Sequence, residues 1–303
     1  MTLRALLGLL LSLAVASALQ LSGLPGRGAG LAGLRRAQAG CVASASGGRQ
    51  GRAGLSMVTA QSVVDTRGAG KYINCGKPIF VAGGSRGVGL EVIKQLVATG
   101  NAVHALVRRQ ESADLLTSMS PLIKPTIGDA LNEADVQACM EGCVAAVTTL
   151  GGKPDEVGKV RVDYAGNSNV IEQAGILGCE RIILVTSLGC GKTKEAVSES
   201  VYDVLKEALV AKDKAERDLR MYTNLDWTII RPGGLKSDAA TGAAVLTEDI
   251  KAAGVINRAD VASLIIQCLA SKGKATQKEF TAVDPSQLSE YAKAGAKVEA
   301  FAV

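Results

Sequence analysis

The sequence predicts an α/β fold, in which helices cover both faces of a doubly wound, mostly parallel sheet. From Lys77 onward, short apolar runs of strand length alternate with segments of helical periodicity, as in repeated βαβ units. Hydrophobic residues make up 47% of the chain but aromatic residues only 3%. Val, Ile, Leu and Ala therefore dominate, as buried parallel strands require. A glycine-rich turn directly follows the first apolar run and defines the first βα unit.

This first βα unit carries the strongest functional signal. Ile79–Ala82 is an apolar run bounded by Pro78, and the helical pattern after the turn stops at Thr99-Gly100. A glycine-rich turn lets the backbone approach a pyrophosphate, and the helix N-terminus offers free N–H groups and a positive dipole to that anion. The turn therefore predicts a dinucleotide site. Its predicted cofactor-binding residues are Gly83, Ser85, Arg86, Gly87, Val88 and Gly89.

The later elements continue the same alternation. The further predicted strands are Ala102–Val107, Ile123–Ile127, Ala145–Thr149, Arg181–Thr186, Trp227–Arg231 and Phe280–Val283. The further predicted helices are Glu133–Glu141, Tyr164–Ala174, Val201–Met221 and Arg258–Leu269. This order predicts a single Rossmann-type domain over 71–303, with a small C-terminal extension on the substrate side.

The end of the second predicted strand bears on the choice of cofactor. A ribose 2′-hydroxyl calls for an acid at this position, whereas a 2′-phosphate calls for arginine. Arg108 and Arg109 stand there without an acid, and Arg86 of the glycine turn points to the same pocket. We interpret this pattern as NADP(H) binding rather than NAD(H) binding. The alternative is a solvated pair of arginines at a strand end.

Six short motifs after the glycine turn occur in order along the chain. They are Gly128-Asp-Ala-Leu131, Asp163-Tyr-x-Gly166-Asn167, Val185-Thr-Ser-Leu-Gly189, Lys212-x-x-Ala215-Glu216, Trp227-Thr-Ile-Ile-Arg-Pro-Gly-Gly-Leu235 and Arg258-x-Asp260-Val-Ala262. With these motifs the chain resembles the atypical, NmrA-like short-chain dehydrogenases/reductases of plants and algae, over about residues 77–285. The resemblance implies an NAD(P)-binding Rossmann fold.

The same resemblance implies places for further cofactor-binding residues. Asp129 would lie by the adenine ring, with the adjacent Ala130 also in the cofactor site. Thr148 and Thr149 would lie by the ribose. Pro232 and Gly233 would lie beside the nicotinamide.

Reductases of this superfamily hold a Tyr four residues before a Lys on one helix, where the Lys binds the nicotinamide ribose and lowers the Tyr pKa. Tyr202-x3-Lys206 fits that spacing, whereas Lys212 fits the motif context. Helical periodicity separates the two, because one stripe of the helix is apolar except for Lys212. The stripe consists of Val201, Leu205, Ala208, Lys212, Ala215 and Leu219.

An ammonium group among apolar side chains is costly unless it has a partner or a ligand. We therefore assign the cofactor lysine, and a catalytic role, to Lys212. The residue four positions before it is Ala208, so the usual tyrosine proton donor is missing from its place.

Two residues after the fifth strand are further candidates. Ser187 stands at the strand end, where its hydroxyl would polarise a substrate carbonyl; the alternative is a serine bonded to the backbone. Cys190 follows at the expected mouth of the site, either as a reactive thiol or as a buried one.

The N-terminal part of the chain has a different composition. Residues 1–18 have the positive start, apolar run and small-x-small end of a signal peptide, and 19–70 is rich in Gly, Ala, Ser and Arg, as transit peptides are. This order resembles the bipartite leader of plastid proteins in algae with secondary plastids. The predicted location is the plastid, with secretion as the alternative, and no integral membrane span is expected in the mature chain.

Charge and cysteine usage argue against some classes of partner. Of 34 basic residues six lie in 1–64, which holds no acid, leaving 28 against 29 acids in 65–303. The folded part is therefore nearly neutral, and no nucleic-acid partner is expected. The seven cysteines have no framework spacing. Cys139-x3-Cys143 falls in a helical stretch, and His104 is the only histidine, so we expect reduced, mostly buried thiols and no metal site.

Two functions fit these observations. The first is an NADPH-dependent reductase of a small organic carbonyl, quinone or enone, in which the proton comes from Ser187, water or the substrate. The second is a non-catalytic, NADP(H)-sensing assembly, anchoring or regulatory factor that binds a plastid protein. The missing tyrosine at position 208 favours the second, whereas Lys212 needs only cofactor binding and favours neither.

Overall fold

The computed structural model describes residues 72–152, 161–271, 273–289 and 295–303. The predicted signal peptide, 1–18, and the predicted transit-peptide-like leader, 19–70, lie outside these residues. Within the part that is described, no helix is both long enough and apolar enough to cross a membrane.

A mostly parallel sheet forms the centre of the fold. Its strands and those of a smaller sheet are β1 (Ile79–Ala82), β2 (Val103–Val107), β3 (Ile123–Ile127), β4 (Ala145–Thr148), β5 (Arg181–Val185), β6 (Asp226–Pro232), β7 (Gly234–Lys236), β8 (Val245–Thr247), β9 (Val255–Asn257) and β10 (Lys278–Val283). The order of the eight-stranded sheet is β3-β2-β1-β4-β5-β6-β10-β8. Only β8 runs antiparallel to its neighbour. The predicted doubly wound sheet is thereby confirmed.

Helices cover both faces of this sheet. They are α1 (Gly87–Ala98), α2 (Gln110–Met119), α3 (Glu133–Met140), α4 (Asn167–Ile176), α5 (Glu199–Arg220) and α6 (Arg258–Ala270). The α1, α2 and α6 helices pack on one face, where Val81 and Ile183 point. The α3, α4 and α5 helices pack on the other, where Phe80 and Leu184 point. The alternation of strand side chains therefore supplies two separate apolar layers.

The strand order reverses between β1 and β4, which lie side by side. In such sheets the crevice for a ligand opens outside the carboxyl ends of the strands at the reversal. We call this side of the molecule the carboxyl edge. The glycine turn after β1 and Thr149 after β4 both lie there.

The predicted strands end within two residues of the observed ones, but two helical segments differ. The α2 helix was not predicted from the sequence, because only Ala113 and Leu116 of its ten residues are buried and its apolar pattern is weak. The helix predicted from Tyr164 starts instead with a π-helical turn, Val162–Gly166, before α4. A Cβ atom on Gly166 would lie 2.6 Å from Val162, so the close packing of this turn depends on the glycine.

The small C-terminal extension is built after β6. The β7 and β9 strands form a parallel pair, and β8 closes the edge of the main sheet beside β10. At the end of the chain, Phe301 N donates to Leu246 O at 2.8 Å, and the Phe301 ring lies 4.7 Å from that of Phe280. The last residues of the chain are therefore anchored on the main core.

Candidate functional site

The glycine turn leaves no space for side chains on its inner side. Gly83 has a φ of +83°, in the left-handed region that favours glycine. A Cβ atom on Gly89 would lie 2.4 Å from Gly83 O and 2.6 Å from Thr149 Oγ1. Thr149 in turn donates from Oγ1 to Ala82 O at 3.0 Å. The start of α1 is therefore packed directly on the carboxyl edge, with its first N–H groups facing the crevice.

The second predicted ribose residue, Thr148, is held more deeply. Its Oγ1 atom donates to Asn167 Oδ1 at 2.6 Å, and Asn167 Nδ2 donates to Asp163 O at 2.8 Å. Both Thr148 and Asn167 are fully buried. Thr148 therefore supports the floor of the crevice, while Thr149 lies at its surface.

The Lys212 side chain is buried at the carboxyl edge. Its Nζ atom donates to Leu150 O at 2.7 Å and lies 3.5 Å from Asp163 Oδ1. Asp163 Oδ2 accepts from Arg161 Nη2 at 2.8 Å and from Gly152 N at 3.0 Å. Only 12% of the Lys212 side chain and 1% of the Asp163 side chain are exposed. The ammonium group thus has the partners that its burial requires.

The rival pair on α5 is placed differently. Lys206 is exposed to solvent. The Tyr202 ring is half-buried and lies 4.7 Å from Lys194 Nζ rather than beside the crevice residues. The structure therefore brings Lys212, and not Lys206, to Leu150 and Asp163.

The predicted apolar stripe of α5 is correct only in its second half. Ala215 and Leu219 are buried, but Val201 and Leu205 are 45% and 37% exposed. A helix of 22 residues is about 33 Å long, whereas the five residues of β5 span about 17 Å. The first turns of α5 therefore extend past the sheet and have no core to cover them.

A buried cluster of charges ties α5 to two strands of the sheet. Glu216 accepts from Thr186 Oγ1 at 2.7 Å and from Arg231 at 2.9 and 2.6 Å. Arg220 and Glu279 complete the cluster, and Arg231 Nη2 donates to Glu279 Oε2 at 2.7 Å. Burial alone would raise the pKa of Glu279, but hydrogen bonds from Arg220 and Arg231 lower it to about 2.

The two candidates after β5 have their polar atoms engaged. Ser187 Oγ donates to Leu188 O at 3.0 Å, as in the backbone-bonded alternative. Cys190 is 1% exposed, and its thiol lies 3.6 Å from Leu209 O. Burial, assisted by the charge of Glu216, raises the pKa of Cys190 to about 12. The thiol is therefore protonated at neutral pH, and the buried interpretation applies.

The arginines predicted to bind the 2′-phosphate have guanidinium groups that are exposed to solvent. Arg86, Arg108 and Arg109 are exposed, and none forms an ion pair with another described residue. Asp129 Oδ1 accepts from Leu131 N at 3.0 Å, so the carboxylate shapes its own turn. Ala130 is buried.

Backbone contacts fix the predicted nicotinamide end of the crevice. Pro232 O accepts from Leu188 N at 2.9 Å, and Gly233 N donates to Ala282 O at 3.0 Å. A Cβ atom on Gly233 would lie 2.3 Å from Gly254 O. The ends of β5, β6 and β10 therefore meet at Pro232 and Gly233.

The remaining thiols lie away from this site. Of the six cysteines in the described ranges, five are buried and all six are free. Cys139 lies in α3, but Cys143 follows the helix end, contrary to the predicted helical placement. Burial lowers the pKa of His104, whose Nδ1 atom lies 2.9 Å from Cys139 O. The described residues contain no group of three or more His, Cys, Asp or Glu side chains arranged to hold a metal ion.

Two further residues of the crevice belong to the sequence motifs but had no predicted role there. Asp163 is the partner of Lys212, 49 positions away in sequence. Arg258 starts α6, and its Nε atom lies 3.7 Å from the position of a Cβ atom on Gly87. The motif order was the only signal for either, because local periodicity carries no information on contacts between distant segments.

Comparison with known proteins agrees with this geometry. A family model described as NAD(P)H-binding matches residues 83–272. An uncharacterised chloroplastic protein of Arabidopsis thaliana is 31% identical over 202 residues, which is 64% of this chain and 72% of that protein. The chloroplastic protein TIC 62 of Pisum sativum is 26% identical over 211 residues, which is 62% of this chain and 39% of that protein. Among solved structures, ChuY, an anaerobillin reductase from Escherichia coli O157:H7, is 30% identical with a TM-score of 0.61, covering 69% of this chain and 97% of that one.

Proposed function

Since the chain belongs to the NAD(P)H-binding family, we propose that it is an NADPH-dependent reductase of a small organic carbonyl, quinone or enone. The observation that carries the proposal is the buried ammonium of Lys212 at the carboxyl edge, the same edge that holds a turn packed too tightly for side chains. A cation held at this position is suited to a dinucleotide ribose, and the turn is suited to its diphosphate.

The residues at the crevice fit this cofactor. The turn is packed closely: a Cβ atom on Gly83 would lie 2.6 Å from Thr149 Oγ1, and one on Gly89 would lie 2.4 Å from Gly83 O. The exposed guanidinium groups of Arg86 and Arg108 are suited to the 2′-phosphate that distinguishes NADPH from NADH. When bound, the nicotinamide supplies a hydride to the substrate.

The chain itself supplies positioning more than acid catalysis. In the proposal, Lys212 exchanges its bond to Leu150 O for the nicotinamide ribose, while Asp163 keeps Arg161 as its partner. Ala208 offers no proton, and the Ser187 hydroxyl must leave Leu188 O before it contacts a substrate. Quinones and enones, which need less help from an acid than simple ketones do, are therefore the favoured substrates.

A second function is favoured by two specific observations. The position of the usual tyrosine holds Ala208, and the chain is similar to TIC 62, although over only 39% of that protein. These observations support an NADP(H)-sensing assembly, anchoring or regulatory factor that binds a plastid protein. Similarity to two chloroplastic proteins also supports a plastid location, with a leader over 1–18 and 19–70 as the proposed route.

Replacing Arg108 by alanine is expected to weaken NADPH binding by about 10- to 100-fold, the range for a lost hydrogen bond to a charged group. NADH binding is expected to stay nearly unchanged, because NADH lacks the 2′-phosphate. Dissociation constants from nicotinamide fluorescence check both values, with Arg217→Ala as a control for an exposed arginine elsewhere. Equal losses for the two cofactors would show that Arg108 does not read the phosphate.

The test of the reductase proposal is NADPH oxidation against a panel of quinones, enones and simple ketones. We expect turnover of quinones and enones, and a fall of about 100-fold or more in kcat/KM for Lys212→Met, the size typical of lost positioning. Lys206→Met, an exposed lysine on the same helix, is expected to match the unmodified protein.

Three results would contradict this proposal. Fast turnover of simple ketones would mean that a positioned acid exists. Activity lost in Lys206→Met and kept in Lys212→Met would reverse the assignment of the lysine. Tight NADPH binding without turnover of any substrate in the panel would favour the sensing factor instead.

A further inference from the structure

Arg258 links the glycine turn to the C-terminal extension. It is the first residue of α6, and its Nε and Cδ atoms lie 3.7 and 3.9 Å from the position of a Cβ atom on Gly87. Its Nη1 atom donates to Ser237 Oγ at 2.7 Å and to Leu235 O at 3.4 Å. One side chain thus lies beside the start of α1 and also holds the segment after β6. We call that segment, residues 234–244, the strap.

No acid balances the charge of Arg258. Among the described residues, it forms no ion pair, and its hydrogen bonds go to a hydroxyl and a carbonyl oxygen. The carboxylate nearest in sequence, Asp260, accepts instead from Thr241 N and Gly242 N, both at 2.9 Å. The full positive charge of the guanidinium therefore remains available to an anion beside Gly87.

The N–H donors of Arg258 point to two different places, so the guanidinium group can bind the strap and an anion at the same time. Nη1 is occupied by the strap, whereas Nε faces the glycine turn and Nη2 has no hydrogen bond to a described residue. A guanidinium group is planar and rigid, so Nε and Nη2 together match the oxygens of a phosphate. A lysine at this position would offer a single ammonium nitrogen, without the separated donors of a rigid planar group.

The far end of the strap is already fixed. Thr241 Oγ1 donates to Asp284 Oδ2 at 2.7 Å, and Asn257 Nδ2 donates to Ala239 O at 2.9 Å. Asp260 and Asp284 are both buried. The near end is exposed at every residue of β7, which pairs with β9, and the Arg258 side chain links the residue after β7 to α6.

We propose that Arg258 is a cofactor-binding residue that contacts the dinucleotide diphosphate and, through Ser237, positions the strap over the crevice. The inference rests on the proposed function, because it takes the diphosphate of a nicotinamide dinucleotide as the ligand. It assigns to that diphosphate a role in ordering the substrate side of the site. Since NADPH and NADH share the diphosphate, the contact serves both.

The experiment compares Arg258→Met, Arg258→Lys and Ser237→Ala with the unmodified protein. Arg217→Met serves as a control, because Arg217 is an exposed arginine paired with Asp213. Dissociation constants are measured for NADPH and for NADH. Trypsin cleavage after Lys236, within the strap, is followed by mass spectrometry with and without saturating NADPH. Thermal unfolding confirms that each variant is folded.

Arg258→Met is expected to weaken NADPH and NADH by the same factor, about tenfold or more, as for other hydrogen bonds to charged groups. Ser237→Ala is expected to bind both cofactors nearly as the unmodified protein does, but to lose the protection of Lys236 by NADPH. Arg258→Lys is expected to keep part of the affinity and lose the protection. The Arg258→Lys variant therefore tests the proposal even if Arg258→Met fails to fold.

Unchanged affinity in Arg258→Met would overturn the inference, as would a loss confined to NADPH or an equal loss in Arg217→Met. Protection of Lys236 that persists in both Ser237→Ala and Arg258→Lys would overturn the link to the strap. If the unmodified protein binds neither cofactor, the proposed function itself fails, and the experiment separates that result from the others.

Discussion

Replacing Glu216 by glutamine is expected to lower the free energy of unfolding by about 3–5 kcal/mol, the cost of removing one partner from a buried ion pair. Glu216 is fully buried, and the Arg231 side chain that it binds is 2% exposed. Without the Glu216 carboxylate, Arg231 keeps only Glu279 as an ionic partner, and Thr186 loses its charged acceptor. Urea unfolding measures the loss.

Glu279→Gln provides the control within the same cluster. Its side chain is 16% exposed, and Arg231 keeps both of its hydrogen bonds to Glu216 in this variant. A clearly smaller loss of stability is therefore expected. If the two variants lose the same stability, the burial of Glu216 does not set the cost.

Glu279→Gln is also expected to change how the stability depends on pH. The folded protein holds the pKa of Glu279 at about 2, below its ordinary value of 4.5. Glu279 therefore contributes stability that is complete above about pH 4.5 and is lost as the pH falls towards 2. The Glu279→Gln variant should consequently lose less stability than the unmodified protein between pH 6 and pH 3.

Replacing Gly89 by alanine is expected to reduce NADPH affinity by about 100-fold or more, the effect of misplacing a binding group by about 1 Å. The new Cβ atom would lie 2.4 Å from Gly83 O, which is backbone and has no rotamer by which to move aside. The start of α1 must shift away from β4, and its N–H groups shift with it. Calorimetric titration with NADPH gives the affinity.

Gly87→Ala is the matched control in the same turn. Gly87 has a φ of +61°, so alanine there is strained by about 1–2 kcal/mol. The nearest atom to its Cβ position is Arg258 Nε at 3.7 Å, which is ordinary contact. A milder loss is expected than for Gly89→Ala. The opposite ranking would mean that backbone conformation, and not the close approach to Gly83, sets the geometry of the turn.

Local sequence patterns predicted the sheet well, because each strand signal is complete within a few residues. Ile79–Ala82 and Ile123–Ile127 have the predicted bounds, and the glycine turn lies where its composition indicated. The α2 helix was not predicted because its local signal is weak: only Ala113 and Leu116 of its residues enter the core.

The candidate site was less accessible to sequence analysis, because its contacts join distant segments. The burial of Lys212 was predicted from the periodicity of α5. Its partner Asp163 lies after β4, in a distant segment that this periodicity does not identify. The same periodicity was wrong for Val201 and Leu205, since it does not reveal where the sheet under a long helix ends. The proximity of Arg258 to Gly87 joins residues 171 positions apart and has no local signal in the sequence.

The bonds of Lys212 to Leu150 O and Asp163 have a consequence for cofactor exchange. Leu150 O and Asp163 satisfy this cation, so under the proposed function a nucleotide competes with these internal oxygens for it. Only the difference between the two sets of bonds contributes to net affinity, because a ligand shifts an equilibrium only by its differential interaction. Under the proposed function, this internal competition lowers the net affinity for the nucleotide. The bound fraction is then expected to follow changes in the supply of reducing equivalents, which suits both a reductase and a sensor.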